Sequence, residues 1–180
     1  MENENRKHPF LRMLLSVAIC IFTALLLALI ITQYVAHHTS VEGSSMEPTL
    51  SDGDQLIVEN ISYYRHDPER FDIVVFPNQN GVNYIKRIIG LPGETVKIAD
   101  GYIYINGKLL EESYGNEPME EAGIAASGIT LAADEFFVLG DNRNASVDSR
   151  RSEVGNIRRT DIHGKAWLRF YPFGSAGSIK

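Results

Sequence analysis

Three short stretches of this chain carry side chains that could do chemistry together. The first is Gly43-Ser44-Ser45-Met46-Glu47-Pro48-Thr49-Leu50. A glycine before two serines, with a proline just beyond, describes a constrained turn. Gly43 permits unusual backbone angles and close approach of another chain. Pro48 fixes its own φ and holds Glu47 toward extended geometry. A serine in such a turn can be exposed as a nucleophile while its backbone N–H points into a cleft. Taken alone, the octapeptide also reads as an ordinary loop.

The second stretch is Tyr84-Ile85-Lys86-Arg87-Ile88-Ile89-Gly90. Strand alternation puts Tyr84, Lys86 and Ile88 on one face and Ile85, Arg87 and Ile89 on the other. Each face is apolar except for one cation, so at least one cation leaves water, which is costly unless it is paired or neutralised. Burial lowers a lysine pKa from about 10.4, by up to about 3–5 in extreme cases. An amine neutral near physiological pH can take a serine proton, the task of a general base. A guanidinium cannot, because it stays charged. Lys86 is therefore the candidate base and Arg87 the candidate ion-pair partner. The pattern leaves open a Lys86 whose amine simply reaches solvent.

The third stretch, Gly140-Asp141-Asn142-Arg143-Asn144-Ala145-Ser146-Val147-Asp148-Ser149-Arg150, follows the apolar run EFFVL. Asp141, Arg143, Asp148 and Arg150 are two acids and two arginines at matching spacing. Charge-assisted bonds could make such a loop rigid enough to position a lysine or line a cleft. A solvated turn is the plainer reading. A Ser–His–Asp arrangement could draw on His66 and Asp67 or on Asp161 and His163, but neither pair lies in a segment of catalytic character.

Positioning these residues requires a scaffold, and the pattern predicts strands. They run over Gln55–Glu59, Phe71–Phe76, Asn83–Ile89, Thr95–Ile98, Tyr102–Ile105, Lys108–Glu111, Glu135–Leu139 and Lys165–Tyr171, all rich in Val, Ile, Phe and Tyr. Asp100-Gly101 and Asn106-Gly107 accept positive φ at low cost and join three strands into a meander. Residues 112–133 are rich in Gly, Ala and Glu without periodicity and read as a mobile loop or flap. No amphipathic helix is evident. Many short strands between turns predict a mainly β domain, a compact sandwich or barrel-like fold.

Ahead of it lies a long apolar segment. Between Met13 and Val41 there is no Asp, Glu, Lys or Arg. A hydrocarbon core of about 30 Å needs about 20 apolar residues in a helix, and residues 13–35 supply them. A cleavable signal peptide has a shorter apolar region, about 7–15 residues, so an uncleaved transmembrane anchor is the better reading. Arg6, Lys7 and Arg12 precede the span, and acids dominate after it until Arg65. That asymmetry predicts a cytoplasmic tail over 1–12 and an extracytoplasmic domain over 36–180. Of 17 basic and 23 acidic residues, three and two precede the domain, which leaves 14 against 21 within it. An acidic surface argues against nucleic acid as a partner. The single cysteine, Cys20, lies in the apolar run and excludes an internal disulfide. The five histidines show no metal-ligand spacing.

Taken together, the motifs resemble the type I signal peptidase (leader peptidase) family of Ser–Lys dyad proteases. They are GSSMEPTL (43–50), DGDQLIVEN (52–60), FDIVVF (71–76), YIKRIIGLPGE (84–94), GDNRNASVDSR (140–150) and GKAWLRFYPF (164–173), in the family's order. The short middle region and single span look like the small enzymes of Gram-positive bacteria. The resemblance implies a mostly β protease domain that removes signal peptides from exported preproteins without metal or cofactor, near the export machinery. It implies Ser45, before Met46, as nucleophile and Lys86 as base. It implies Ser146 as a serine that hydrogen-bonds and orients that lysine. Asp141, Arg143, Asp148 and Arg150 would brace the site, with Arg87 in the ion-pair network. Gly43 stands where some members have a Ser or Thr that helps the oxyanion. Phe71 replaces a common Gly, and Ala145 a common Asn. A non-catalytic membrane-anchored β domain that binds peptides or proteins is the alternative. A self-cleaving repressor-type Ser–Lys protease is opposed by the anchor and by the lack of a DNA-binding helical module.

Overall fold

Residues 9–34, 36–78, 80–115 and 117–179 are described by a computed structural model. Contacts divide the chain into an N-terminal unit ending at Ala36 and a unit of His37–Lys180. The first is one helix, α1, over Pro9–Tyr34. It begins before the expected start at Met13. Within it Phe10–Leu29 forms an apolar stretch of 20 residues, long enough to cross a bilayer. The Ser16 and Thr23 hydroxyls donate back to the carbonyls of Arg12 and Ile19, each at 2.9 Å, so these polar groups are satisfied inside the helix. Val35 and most of the predicted tail, residues 1–8, lie outside the described residues.

The strands are β1 (Ala36–Ser40), β2 (Gln55–Glu59), β3 (Ile73–Pro77), β4 (Asn83–Gly90), β5 (Thr95–Ala99), β6 (Tyr102–Ile105), β7 (Lys108–Leu109), β8 (Ile129–Thr130), β9 (Glu135–Leu139), β10 (Ile157–Arg158), β11 (Gly164–Tyr171) and β12 (Gly177–Ser178). A larger sheet has the order β1-β2-β11-β3-β4-β9-β10, with β12 on β11, and a smaller one the order β7-β6-β5-β8. The pairings from β2 through β10, and all those of the smaller sheet, are antiparallel. The predicted meander is β5-β6-β7. Its turns have positive φ at Asp100 (52°), Gly101 (82°), Asn106 (53°) and Gly107 (79°), as tight hairpins require.

Around its middle strands the larger sheet is buried on both faces. On β3, Ile73 and Val75 enter one apolar cluster with Met46, Leu50 and Val58. Val74 and Phe76 enter another with Ile88, Phe136 and Val138. On β9, Phe137 and Leu139 join Ile89 and the smaller sheet in a third. β4 contributes to all three, which is why its sequence is apolar on both faces.

Residues 112–133, expected as a mobile loop or flap, are in part packed into the core. Met119, Ala125 and Leu131 are buried in the cluster beneath the smaller sheet, and Gly123–Ser127 makes a short 3-10 turn. Their spacing fits neither a helix nor a strand, so the sequence pattern conceals their packing. Four strands were not expected: β1, β8, β10 and β12. Each has only two to five residues.

Candidate active site

β4 delivers Lys86 and Arg87 to the interior, 4% and 0% exposed respectively. Lys86 Nζ donates to Ser45 Oγ at 2.8 Å and to the Ile85 carbonyl at 3.1 Å. The solvent-reaching alternative for Lys86 is therefore set aside. Burial pulls its pKa from 10.5 to about 8, against a smaller upward pull from Asp148 and Asp141. Near neutrality a useful fraction of the amine is unprotonated, and Ser45 Oγ–H can then donate to it.

The serine turn is anchored from both ends. Met46 and Leu50 are buried in the apolar cluster, which fixes the backbone on either side of Glu47. Gly43 has φ 80°, and its N–H donates to Asp52 Oδ1 at 2.7 Å. That amide is engaged, whereas no hydrogen bond among the described residues uses the Ser45 N–H. Asn142 clamps the turn from the far loop. Its N–H donates to the Ser45 carbonyl and its Nδ2 to the Ser44 carbonyl, each at 3.1 Å. The approach is close enough that a Cβ on Gly140 would run into Ser146 Oγ and the Ser45 carbonyl oxygen.

The matched acids and arginines of the 140–150 loop do not all pair with one another. Asp148 accepts from Arg150 Nε (2.8 Å) and Nη2 (2.9 Å) and from the Gly140 N–H (3.1 Å), which braces the loop internally. Arg150 Nη2 also donates to the Arg143 carbonyl. Asp141 instead receives Arg87 Nε (2.8 Å) and Nη2 (2.7 Å), with both side chains fully buried. Thr49 Oγ1 donates to the same carboxylate at 2.6 Å and so ties the serine turn to that ion pair. Arg143 forms a two-pronged pair with Glu112, at 2.6 and 2.7 Å.

Ser146 is the exception to the expected roles. Its Oγ is buried without a hydrogen-bond partner, and the second bond of Lys86 goes to the Ile85 carbonyl instead. The hydroxyl packs against the backbone of Gly140. Among the described residues no hydrogen bond joins a histidine to Ser45, and no three His, Cys, Asp or Glu side chains are placed to share a cation. Thr49, Asn142, Glu112, Tyr114 and Phe71 were not singled out as site residues by pattern. Their partners lie far off in sequence, and only the Phe71-for-Gly replacement gave a hint.

A cleft of about 240 Å³ opens beside the dyad. It is lined by Val41, Met46, Ile85, Ala145 and Val147 together with Gly43, Ser45 and Lys86. One wall is the Asn83–Lys86 part of β4, which pairs with β3 on one side, while pairing with β9 begins only at Arg87.

A buried amine against a serine in a cleft with a free strand edge is the architecture of a serine endopeptidase. The chain belongs to the signal peptidase family, peptidase S26, whose model matches residues 14–171. It is 42% identical over 165 residues to probable signal peptidase I-2 of Synechocystis sp. (strain ATCC 27184 / PCC 6803 / Kazusa), covering 87% of this chain and 73% of that one. It is 40% identical to signal peptidase I of Bacillus licheniformis, covering 85% and 86%. A solved signal peptidase I from Enterococcus faecalis V583 shares 38% identity at a TM-score of 0.48, covering 56% of this chain and 97% of that one. The activity of the family is signal-peptide cleavage, and this chain is a signal peptidase I.

Proposed function

We propose that Ser45 is the nucleophile and Lys86 the general base with which this signal peptidase cuts exported preproteins. The observation that carries the proposal is the 2.8 Å contact from Lys86 Nζ to Ser45 Oγ, made by an amine that burial brings to a pKa of about 8. Neutral Lys86 takes the Ser45 proton as Oγ attacks the scissile carbonyl. The Ser45 N–H, which makes no hydrogen bond among the described residues, faces the developing oxyanion, while the Gly43 amide stays with Asp52. Protonated Lys86 then gives its proton to the leaving amine, and the mature protein departs. Water activated by Lys86 hydrolyses the ester to release the signal peptide.

The substrate enters as an extended segment added to the free edge of Asn83–Lys86, so main-chain bonds supply affinity without demanding sequence. Its small residues before the cut enter the apolar cleft. Gly43, Met46, Arg87, Asp141, Arg143, Asp148 and Arg150 hold the frame, and Ser146 fills the space beside Gly140. Residues 13–35 are the single-pass anchor, 1–12 a cytoplasmic tail and 36–180 the extracytoplasmic catalytic domain, in keeping with Arg6, Lys7 and Arg12 before the span. Tethering at the bilayer keeps the dyad where signal peptides emerge, close to the export machinery.

The test is preprotein cleavage by purified full-length protein beside Ser45→Ala and Lys86→Arg. Both variants should fold and lose activity. Undiminished cleavage by Ser45→Ala would reject the nucleophile, and near-normal cleavage by Lys86→Arg would reject the base.

A further inference from the structure

Each nitrogen of the buried Arg87 guanidinium donates a hydrogen bond, and one face is covered. Asp141 takes Nε and Nη2, and the Phe71 carbonyl accepts from Nη1 at 2.8 Å. The Tyr114 ring lies over the face, with its centroid 3.6 Å from Cζ. At that distance a desolvated cation and an aromatic ring attract strongly, and the ring also keeps water off the ion pair. Tyr114 is supplied by the segment that leaves β7, in the smaller sheet, and its hydroxyl makes no hydrogen bond among the described residues.

Phe71 supports the ring. The two aromatic centroids are 5.0 Å apart. Phe71 holds φ at 75°, a region that a bulky side chain adopts only when its surroundings impose it. Its N–H donates to the Ile88 carbonyl at 2.8 Å, so the strained residue is fastened to β4 at its amide and to Arg87 at its carbonyl. Its side chain also packs against the cluster beneath the smaller sheet.

We propose that Tyr114, held by Phe71, is a positioning residue for the reaction: it seals Arg87 onto Asp141 and thereby fixes both the Thr49 end of the serine turn and the β4 backbone that carries Lys86. This proposal rests on the Ser45–Lys86 reading. Without the ring, water reaches the pair and Arg87 holds Asp141 less firmly. The Asp141 charge is then less compensated, and Asp141 and Asp148 are the two carboxylates that act on Lys86. Tyr84 is the aromatic side chain facing the amine, at 5.2 Å. Weaker burial and a barer Asp141 both favour protonated Lys86.

The experiment is the pH profile of kcat/KM for preprotein cleavage by the full-length enzyme. Tyr114→Leu should lower the plateau roughly ten-fold and move the acidic limb to higher pH by at least about 0.5. Tyr114→Phe, which keeps the ring, should restore both. Phe71→Gly relaxes the backbone and removes the support, and it should shift the limb in the same direction even if Tyr114→Leu fails to fold. A wild-type limb in folded Tyr114→Leu, or in Phe71→Gly, overturns the proposal, as does a Tyr114→Phe enzyme as impaired as Tyr114→Leu. Retained cleavage by Ser45→Ala would instead overturn the dyad, so the two failures are distinguishable.

Discussion

Lys86 and Arg87 are consecutive on β4 and both buried, yet only Arg87 has a carboxylate in salt-bridge contact among the described residues. The pleat sends them to opposite faces, and the two environments divide their roles. Arg87, paired with Asp141, stays charged and holds the frame. Lys86 has one hydroxyl and one carbonyl in hydrogen-bond contact, and its burial favours the neutral amine that the proposed base role requires.

The first consequence concerns pH and activity. In the proposed base role Lys86 must act in its neutral form, so kcat/KM should rise with pH, reach half its plateau near the pKa of about 8, and level above it. Initial rates on a preprotein substrate from about pH 6 to about pH 10 measure this. A flat profile would rule out Lys86 as the base.

Stability should follow the same group with its own sign. The folded-state pKa lies below the unfolded value, so the unfolded chain binds more protons between about 8 and 10.5, and stability rises with pH across that window. Below it, charged Lys86 costs on the order of 3 kcal/mol relative to its neutral form, since each ten-fold change in the protonation equilibrium is worth about 1.4 kcal/mol. Lys86→Met should therefore melt higher than wild type at neutral pH while cleaving nothing. The difference should shrink as the pH approaches about 10. Thermal melts at several pH values test this.

Breaking the Arg87–Asp141 pair should do the opposite. Asp141→Asn leaves a buried guanidinium uncompensated and should destabilise the domain by roughly 3–5 kcal/mol. Replacing both residues with apolar ones of similar volume should recover much of that stability in denaturant titrations, but not the activity. The double variant also loses the acceptor for Thr49, and the serine turn then drifts.

Gly140 offers a test through shape alone. Any side chain there meets Ser146 and the Ser45 carbonyl. Gly140→Ala should push the 140–150 loop away from the serine turn and weaken the Asn142 bonds to Ser44 and Ser45. A drop in kcat of at least about ten-fold is expected, since misplacement by about 1 Å costs up to about a hundred-fold. Activity close to wild type would mean that the clamp does not govern Ser45.

Local context, a Gly/Pro turn for Ser45 and a two-sided apolar strand for Lys86, made both residues candidates, and the family resemblance paired them as the proposed nucleophile and base. Eight strands were legible because alternation and turn residues are local signals, although the one predicted over Lys108–Glu111 pairs only at Lys108–Leu109. β8, β10 and β12 are too short to show a period, and β1 reads AHHTS, with no apolar alternation. The pairing of Arg143 with Glu112, rather than with a neighbour in its own loop, depends on the smaller sheet bringing residue 112 across, which no spacing rule encodes. Ser146 carries the same lesson in reverse. The resemblance assigned it to the lysine, but in this backbone the Ile85 carbonyl takes that bond.

β11, residues 164–171, lies between β2 and β3 in the larger sheet. It pairs with both, and its Ala166 is buried in the same cluster as Met46 and Leu50. The floor under the serine turn is therefore finished by a strand remote from it along the chain. Such non-local closure makes the seating of Ser45 a property of the whole β domain rather than of its own loop.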